Sequence, residues 1–128
     1  MQFSTLLLTV FAATAAYACT SCPHPGTFTG NIVGYPDATG NYCGVTLTSS
    51  QVGASISSSF LDPPDESPCG EPITVTLTSD GKTTQAIVVN FDTSFTGGEI
   101  GLTQNGLAAL APDSDPNHGT GAGSWTFN

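Results

Sequence analysis

The stretch Cys69–Leu110 reads CGEPITVTLTSDGKTTQAIVVNFDTSFTGGEIGLTQNGLAAL, and its first half decides the fold. Two runs rich in β-branched residues, Ile73–Thr78 and Thr83–Phe91, flank the tetrapeptide Ser79-Asp80-Gly81-Lys82. Because glycine accepts a positive φ without steric cost, an Asp-Gly pair between two such runs is typical of a tight turn. The first half of the stretch therefore predicts a β-hairpin.

The second half of the stretch predicts a bend followed by a short helix. Gly97-Gly98 marks the bend, and Thr103 is suited to the position just before a helix. Leu107 and Leu110 would share one face of that helix, and Pro112 would end it. The rest of the chain has to close around this strand, turn, strand, bend and helix.

The N-terminus predicts a secretory signal peptide at residues 1–18. Phe3–Ala16 is almost wholly apolar or hydroxylic, and Ala16-Tyr17-Ala18 fits the small-x-small cleavage rule. The run is too short to span a membrane, and a start without Lys or Arg favours a fungal-type signal. A lipoprotein site at Cys19 and a buried helix are the alternatives. We therefore expect a mature N-terminal segment at 19–26, one domain at 27–128, and a secreted, extracellular protein.

The cysteine content predicts disulfide bonds. Four cysteines lie after the predicted signal, an even count that is typical of a small exported domain. Cys43 and Cys69 both precede glycine in turns beside strands, so we favour a Cys43–Cys69 bridge. Cys19 and Cys22 would then pair locally or stay mobile. Their Cys-x-x-Cys spacing also occurs in redox and zinc sites, but no second pair accompanies it.

The charge balance excludes several classes of partner. The sequence has 10 acidic residues, Lys82 as its one lysine, no arginine, and a net charge of −9 with histidine neutral. Such a chain repels phosphate, so we expect neither nucleic acid nor an anionic membrane as a partner. Asp113-Ser114-Asp115 resembles part of a calcium loop but lacks the required glycine and terminal glutamate, which indicates a surface turn. We expect no metal and no cofactor.

The remaining segments predict an all-β domain with one short helix. A first strand begins near Thr27, and further β-type stretches occupy 45–48, 52–58 and 124–127. The proline-rich segment 62–72 reads as an irregular connection. Several short strands between Gly/Pro turns indicate a small barrel or sandwich.

Eight short motifs along the chain follow an order shared with one superfamily. They are Tyr42-Cys43-Gly44, Ser57-Ser58-Ser59-Phe60, Ser67-Pro68-Cys69-Gly70, Ile73-Thr74-Val75, Ala86-Ile87-Val88-Val89-Asn90, Leu102-Thr103, Leu107-Ala108-Ala109-Leu110 and Gly123-Ser124-Trp125. Over residues 27–128 the series resembles the RlpA-like double-psi β-barrel proteins, which include expansins, barwin-type proteins and family-45 glycoside hydrolases. The resemblance implies a six-stranded double-psi β-barrel with one short helix at its side.

The resemblance also implies where the acids of a hydrolytic member would lie. An inverting glycosidase needs one carboxyl to protonate the leaving oxygen and one carboxylate to activate water. At the two matching positions this chain has Asn90 and Gly101, and neither exchanges a proton at neutral pH. Asp92 and Glu99, each two residues away, are the alternative as a displaced acid pair. We therefore predict no catalytic residue at the family positions.

Five other side chains are candidates for a site. Tyr35 and Tyr42 flank a glycine-containing loop and are suited to stacking on a sugar ring. Trp125 alternates with Phe127 on the last strand and is interpreted as core. His24 and His118 lack a marked serine and acid partner, so a Ser-His-Asp hydrolase is not indicated.

These observations predict a monomeric, secreted, non-hydrolytic protein that binds or loosens cell-wall polysaccharide. The expected binding residues are Tyr35, Tyr42, Asn90, Asp92 and Glu99. Two alternatives remain open at this point. One is a protein-binding module, such as a cysteine-protease inhibitor or secreted effector, with the loop 61–72 as its contact. The other is a lytic enzyme with displaced carboxylates.

Overall fold

The computed structural model describes residues 24–35, 41–61 and 67–128. The predicted signal peptide at 1–18, Cys19, Cys22, most of the segment 19–26 and the middle of the proline-rich connection lie outside the described residues. Within the described part, no helix has both the length and the apolar character that a bilayer crossing requires.

Six strands form a closed barrel with the circumferential order β1-β5-β2-β4-β3-β6. The strands are β1 Thr27–Gly34, β2 Gly53–Ser57, β3 Pro72–Leu77, β4 Thr83–Asp92, β5 Ile100–Leu102 and β6 Gly121–Phe127. The helix α1 spans Gln104–Leu110, and short 3-10 turns cover Ser58–Leu61 and Pro116–His118. The predicted all-β class and six-stranded double-psi architecture with one short helix are confirmed.

The pairing of the strands has an internal two-fold pattern. β1 runs parallel to β5 and β2 parallel to β4, while the other neighbours are antiparallel. Exchanging β1 with β4, β2 with β5 and β3 with β6 reproduces the same set of neighbours. Each parallel pair thus joins a strand from the first half of the chain to one from the second half.

The predicted hairpin is β3–β4. Its turn is closed by hydrogen bonds from Leu77 N to Lys82 O and from Gly81 N to Leu77 O, both 2.9 Å. Gly81 has a φ of 71°, the left-handed conformation for which the Asp-Gly pair was interpreted. The Asp80-Gly81 pair therefore forms the tight turn of the hairpin that the sequence predicts.

Alternating side chains of the strands fill the barrel. Trp125 is buried, as interpreted from the sequence, and packs in a cluster of aromatic rings with Phe28, Phe60 and Phe127. Its indole Nε1 donates to Gly98 O at 2.9 Å, so the one polar atom of the side chain is satisfied inside the core. The Gly97-Gly98 bend is therefore bonded to the barrel core through Trp125.

The Gly97-Gly98 bend packs against β1 with no space for side chains. A Cβ on Gly98 would collide with the carbonyl oxygen of Thr29 and lie 2.6 Å from the Thr29 carbonyl carbon. A Cβ on Gly30 would lie 2.5 Å from Glu99 N. Two backbones can approach this closely only when both carry glycine at the crossing.

Helix α1 begins after Thr103, but the Thr103 side chain does not cap it as expected. The Thr103 hydroxyl instead accepts from Gly53 N at 3.0 Å and donates to Asn105 Oδ1 at 2.6 Å, tying the helix to β2. At the other end, Lys82 Nζ donates to Ala111 O at 3.0 Å. A cation at a helix C-terminus interacts favourably with the helix dipole.

The segment 41–52 corrects one prediction, because the β-type stretch at 45–48 forms no strand. Asn41 Nδ2 donates to Val45 O at 2.9 Å, and Val45 N donates to Asn41 Oδ1 at 3.0 Å. These local bonds occupy the backbone groups that a sheet would use. The segment instead covers β2, with the Leu47 side chain filling the space above Gly53.

Candidate functional site

The two positions at which the resemblance places the acids of a hydrolytic member lie on neighbouring pairs of strands, with Ser55 between them. Asn90 on β4 is the register partner of Ser55 on β2, and Ser55 is the partner of Gly101 on β5. Register partners point to the same face, so Asn90, Ser55 and Gly101 form one row on the outward face of the strands, which we call the site row. Ser55 and Gly101 are buried in this row, and Asn90 is half-buried. The row holds an amide, a hydroxyl and a glycine, and none of the three carries a carboxylate.

A β-bulge sets the composition of the site row. The register between β2 and β4 shifts after Ala54, which pairs with Val88, while Ser55 pairs with Asn90. The extra residue is Val89, whose side chain packs near Gly53 and is fully buried. Without this shift Val89 would stand opposite Ser55, so the bulge brings Asn90 into the row.

Asn90 uses both ends of its amide within the protein. Its Oδ1 accepts from Tyr42 N at 3.0 Å, and its Nδ2 donates to Ser55 Oγ at 3.1 Å. Because a backbone N–H can only donate, the Tyr42 contact fixes the orientation of the amide. Asn90 therefore fastens the segment that carries Tyr42 to the barrel.

Tyr42 combines high exposure with several fixed contacts. Its side chain is 64% exposed, yet its ring meets the ring of Phe91 edge-on at a centroid distance of 5.4 Å. The next residue, Cys43, donates from its N to Val89 O at 3.0 Å and forms the predicted disulfide with Cys69. The ring is thus held in place while most of the residue remains open to solvent.

Tyr35 and Phe95 lie at the opposite end of the site row. Tyr35 N donates to Leu102 O at 2.7 Å, which extends the β1–β5 pairing by one residue. A Cβ placed on Gly101 would lie 3.2 Å from Tyr35 Cβ and 3.5 Å from the Phe95 ring. Phe95 was missed from the sequence; the signal available was an aromatic residue in an otherwise polar turn, Asp92–Glu99.

The structure places Asp92 and Glu99 in separate local turns. Asp92 Oδ1 accepts from the Ser94 hydroxyl at 2.6 Å and from Ser94 N at 2.8 Å, and these bonds lower the pKa of Asp92. Glu99 Oε1 accepts from Thr96 N at 2.9 Å and from the Thr96 hydroxyl at 3.2 Å. Each carboxylate stabilises its own turn, and the lowered pKa of Asp92 disfavours a role for that residue as a general acid.

A separate titratable group occupies the loop after α1. Asp113, Asp115 and His118 have polar atoms within 4.8 Å of one another, and His118 Nδ1 lies 2.7 Å from Asp113 Oδ2. The Asp115 carboxylate also accepts from Asn117 N at 3.0 Å, which begins the 3-10 turn. The contacts are those of the surface turn that the sequence indicated.

The pKa shifts of this loop predict a pH dependence. The hydrogen bond with Asp113, then the charges of Asp113 and Asp115, raise the pKa of His118. The Asp115 N–H and then His118 lower the pKa of Asp113. The pair is therefore complete between about pH 4 and about pH 6.5, and is lost as pH rises through the His118 pKa or falls through the Asp113 pKa.

An NMR titration of the His118 ring protons tests this prediction. His118 is expected to titrate above about 6.5, and Asp113→Asn should return its pKa toward that value. A His118 pKa unchanged by Asp113→Asn would contradict the pairing. The indole signal of Trp125 in the barrel core serves as the internal control, because the fold should not respond to the substitution.

Comparisons with known proteins give likenesses of fold. No protein-family model and no curated protein matches the chain. Among solved structures, the Streptomyces papain inhibitor is similar, with 26% identity, a TM-score of 0.65, and coverage of 84% of this chain and 98% of that chain. Two structures of a Clavibacter michiganensis expansin, one a mutant in complex with cellohexaose and one without ligand, match with 21% and 20% identity and TM-scores of 0.64.

The two kinds of likeness differ in extent. The expansin matches cover 80% of this chain but 50% of the expansin, so the chain spans half the length of those proteins. The papain inhibitor is matched over nearly its whole length. The closed barrel order, its two parallel pairs and these likenesses together show a double-psi β-barrel fold, similar to that of the papain inhibitor and the expansin.

Proposed function

We propose that this protein binds, and through binding loosens, a neutral polysaccharide of an extracellular cell wall without cleaving it. The observation that carries the proposal is Tyr42, an exposed ring held by Asn90, by Phe91 and by the neighbouring disulfide. The face of a fixed aromatic ring suits the C–H face of a sugar, and no ordering cost has to be met when the sugar binds.

The site row argues against hydrolysis. Cleavage with inversion needs two carboxyl groups that flank the scissile bond at about 6.5–9.5 Å. The family positions hold Asn90 and Gly101, and the nearby Asp92 and Glu99 are engaged by Ser94 and Thr96. Among the residues that the structure describes, a bound sugar chain would meet hydrogen-bonding groups at the site row but no pair of carboxyl groups free for cleavage.

The net charge is consistent with a neutral ligand. A chain of net charge −9 repels polyanions such as pectate or teichoic acid. Uncharged sugar hydroxyls are not repelled by this negative charge. Cellulose, chitin and uncharged glucans are therefore the substrate classes to test first.

A pull-down with insoluble polysaccharides, combined with a sugar-release assay, tests the proposal. We expect the native protein to pellet with at least one of cellulose, chitin and an insoluble uncharged glucan and to release no reducing sugar. Tyr42→Ala should weaken binding by about 1–2 kcal/mol, roughly tenfold, because the stacking surface is removed. Thr76→Ala is the matched control. Thr76 lies on β3 where that strand pairs with β6, away from Tyr42 and the site row, so this variant should bind as the native protein does.

The proposal fails if the native protein pellets with none of these polymers. Sugar release that is lost on Asp92→Asn or Glu99→Gln would instead support an enzyme with displaced acids. Sugar release that survives both substitutions would point to acids elsewhere in the chain.

A second candidate function is inhibition of a cysteine protease. The observation that favours it is the match to the Streptomyces papain inhibitor, which exceeds the expansin matches in identity and in coverage. Titration of papain activity with the purified protein tests it. Stoichiometric inhibition would support this function, and full papain activity at a large molar excess of the protein would exclude it for that enzyme.

A further inference from the structure

Tyr42 carries a chemistry that polysaccharide binding does not use. Its phenol can give up one electron and one proton, and the other side chains that are oxidised with comparable ease are tryptophan, methionine and the cysteine thiol. Tyr42 is 64% exposed, and within the described part its hydrogen bond runs from its backbone N to Asn90 and does not involve the hydroxyl. Molecules outside the protein can therefore reach this phenol.

The other oxidisable side chains of the described residues are protected by the fold. Trp125 is 1% exposed, and its indole N–H is bonded inside the core. Cys43 and Cys69 are joined in a disulfide, and Tyr35 is half-buried beside strand β5. The remaining members of the set lie outside the described residues: Met1, Tyr17, Cys19 and Cys22. Within the described part, one-electron oxidation therefore converges on Tyr42.

We propose that Tyr42 is an oxidative cross-linking site, at which a haem peroxidase and hydrogen peroxide join this protein covalently to a second phenol. The peroxidase removes one electron and one proton from each of the two phenols, and the peroxide takes them up to become two molecules of water. The two phenoxyl radicals join by a carbon–carbon bond between ring carbons adjacent to the oxygen-bearing carbons. The hydrogen on each joined carbon then moves to the oxygen of its ring as a proton, so the product has lost two hydrogen atoms in total.

The surroundings of Tyr42 keep the radical at the surface. The ring that Tyr42 contacts is that of Phe91, at a centroid distance of 5.4 Å, and a phenylalanine ring is far harder to oxidise than a phenol. Trp125 packs in a separate cluster of aromatic rings in the core. In the described part no ring contact joins Tyr42 to that cluster, so the radical is not passed into the core along stacked rings.

The second phenol can come from two sources, which differ in charge. One is Tyr42 of a second copy of this chain, and the other is a small neutral phenol of the surroundings. Two copies with a net charge of −9 each repel one another, whereas a neutral phenol is not repelled. Salt screens this repulsion, because the Debye length falls from about 30 Å at roughly 0.01 M to about 3 Å at roughly 1 M. The yield of a protein dimer should therefore rise with salt, and the yield of a phenol adduct should not.

Treatment of the native protein with a haem peroxidase and hydrogen peroxide, followed by denaturing electrophoresis and mass spectrometry, tests the inference. The protein alone should give a covalent dimer that is lighter than two chains by two hydrogen atoms, with the link mapped to Tyr42 of both chains. Higher oligomers should be absent, because the described domain offers one reachable tyrosine. An excess of N-acetyltyrosinamide, a neutral phenol, should replace the dimer with an adduct of one phenol per chain, again at Tyr42.

Two conservative variants make the test specific. Tyr42→Phe keeps a ring beside Phe91 but lacks the hydroxyl, so both products should be lost. Tyr35→Phe is the matched control and should give both products as the native protein does. The inference is wrong if the products persist in Tyr42→Phe, if Tyr35→Phe loses them, or if the link in the native protein maps to another residue.

The outcome does not depend on polysaccharide binding, because the reaction needs only an exposed phenol and an oxidant. The inference is overturned if the native protein gives neither product while the same peroxidase couples N-acetyltyrosinamide to itself. Should Tyr42→Phe fail to fold, the mapped position of the link in the native protein decides alone.

Discussion

Gly98→Ala is expected to lower the free energy of unfolding by roughly 3 kcal/mol or more, at the upper end of what overpacking costs. The added methyl group would meet the Thr29 carbonyl, which belongs to the backbone of β1 and cannot turn aside as a side chain could. Moving the bend away would also break the bond from Trp125 Nε1 to Gly98 O. Urea unfolding followed by tryptophan fluorescence measures the loss directly, since Trp125 reports on the affected bond.

Gly70→Ala is the matched control for this substitution. Gly70 has a φ of 79° but open space around its Cβ position, so alanine there costs only the left-handed conformation, about 1–2 kcal/mol. If collision with the β1 backbone is the cause, Gly98→Ala should lower the free energy of unfolding more than Gly70→Ala does. Equal losses at the two positions would show that the crossing of the bend and β1 tolerates a methyl group.

Removing the disulfide is the second substitution with a large expected effect. The Cys43–Cys69 bridge joins residues 26 apart in sequence, and its loss in the Cys43→Ser, Cys69→Ser double variant should cost roughly 3–4 kcal/mol through the entropy of the unfolded chain. The bridge also anchors the segment beside Tyr42, so polysaccharide binding should weaken together with stability. Chemical denaturation and the pull-down assay on the same variant measure the two effects.

The native protein treated with a reductant provides the control for the serine side chains. Reduction should reproduce the stability loss of the double variant. If the free energy of unfolding falls by less than about 1 kcal/mol in both samples, the expected stabilisation by the disulfide is wrong. The strands alone would then hold the segments 41–43 and 69–71 in place. A change in the double variant alone would be an effect of the new side chains.

Much of the fold could be predicted because its signals are local. The Asp80-Gly81 turn, the alternation along β3 and β4, and the Leu107/Leu110 face of α1 each depend on residues close in sequence. The barrel architecture was predicted from the order of the short motifs, through their resemblance to a known superfamily. The strand predicted at 45–48 was wrong because a local side chain competes with the sheet for the backbone groups. The Asn41 side chain bonds to both the N–H and the carbonyl oxygen of Val45, and the sequence pattern does not show this competition.

The candidate site was only partly predictable because it depends on contacts between distant residues. Asn90 and Tyr42 were selected from the sequence, but their mutual bond joins residues 48 positions apart and turns Asn90 into a tether. The bulge at Val89 and the packing of Phe95 on Gly101 likewise arise only when β2, β4 and β5 are adjacent. The interpretation of Asp92 and Glu99 as binding residues remains a prediction.

The bond between Lys82 and the end of α1 has a consequence for proteolysis outside the cell. Lys82 is the one lysine of the whole sequence, which has no arginine, and trypsin-like enzymes require Lys or Arg in their specificity pocket. Such a protease therefore has a single peptide bond to attack, in the exposed β3–β4 turn. To enter the pocket, the Lys82 ammonium must first leave Ala111 O, so digestion of the folded chain waits on the release of the helix end.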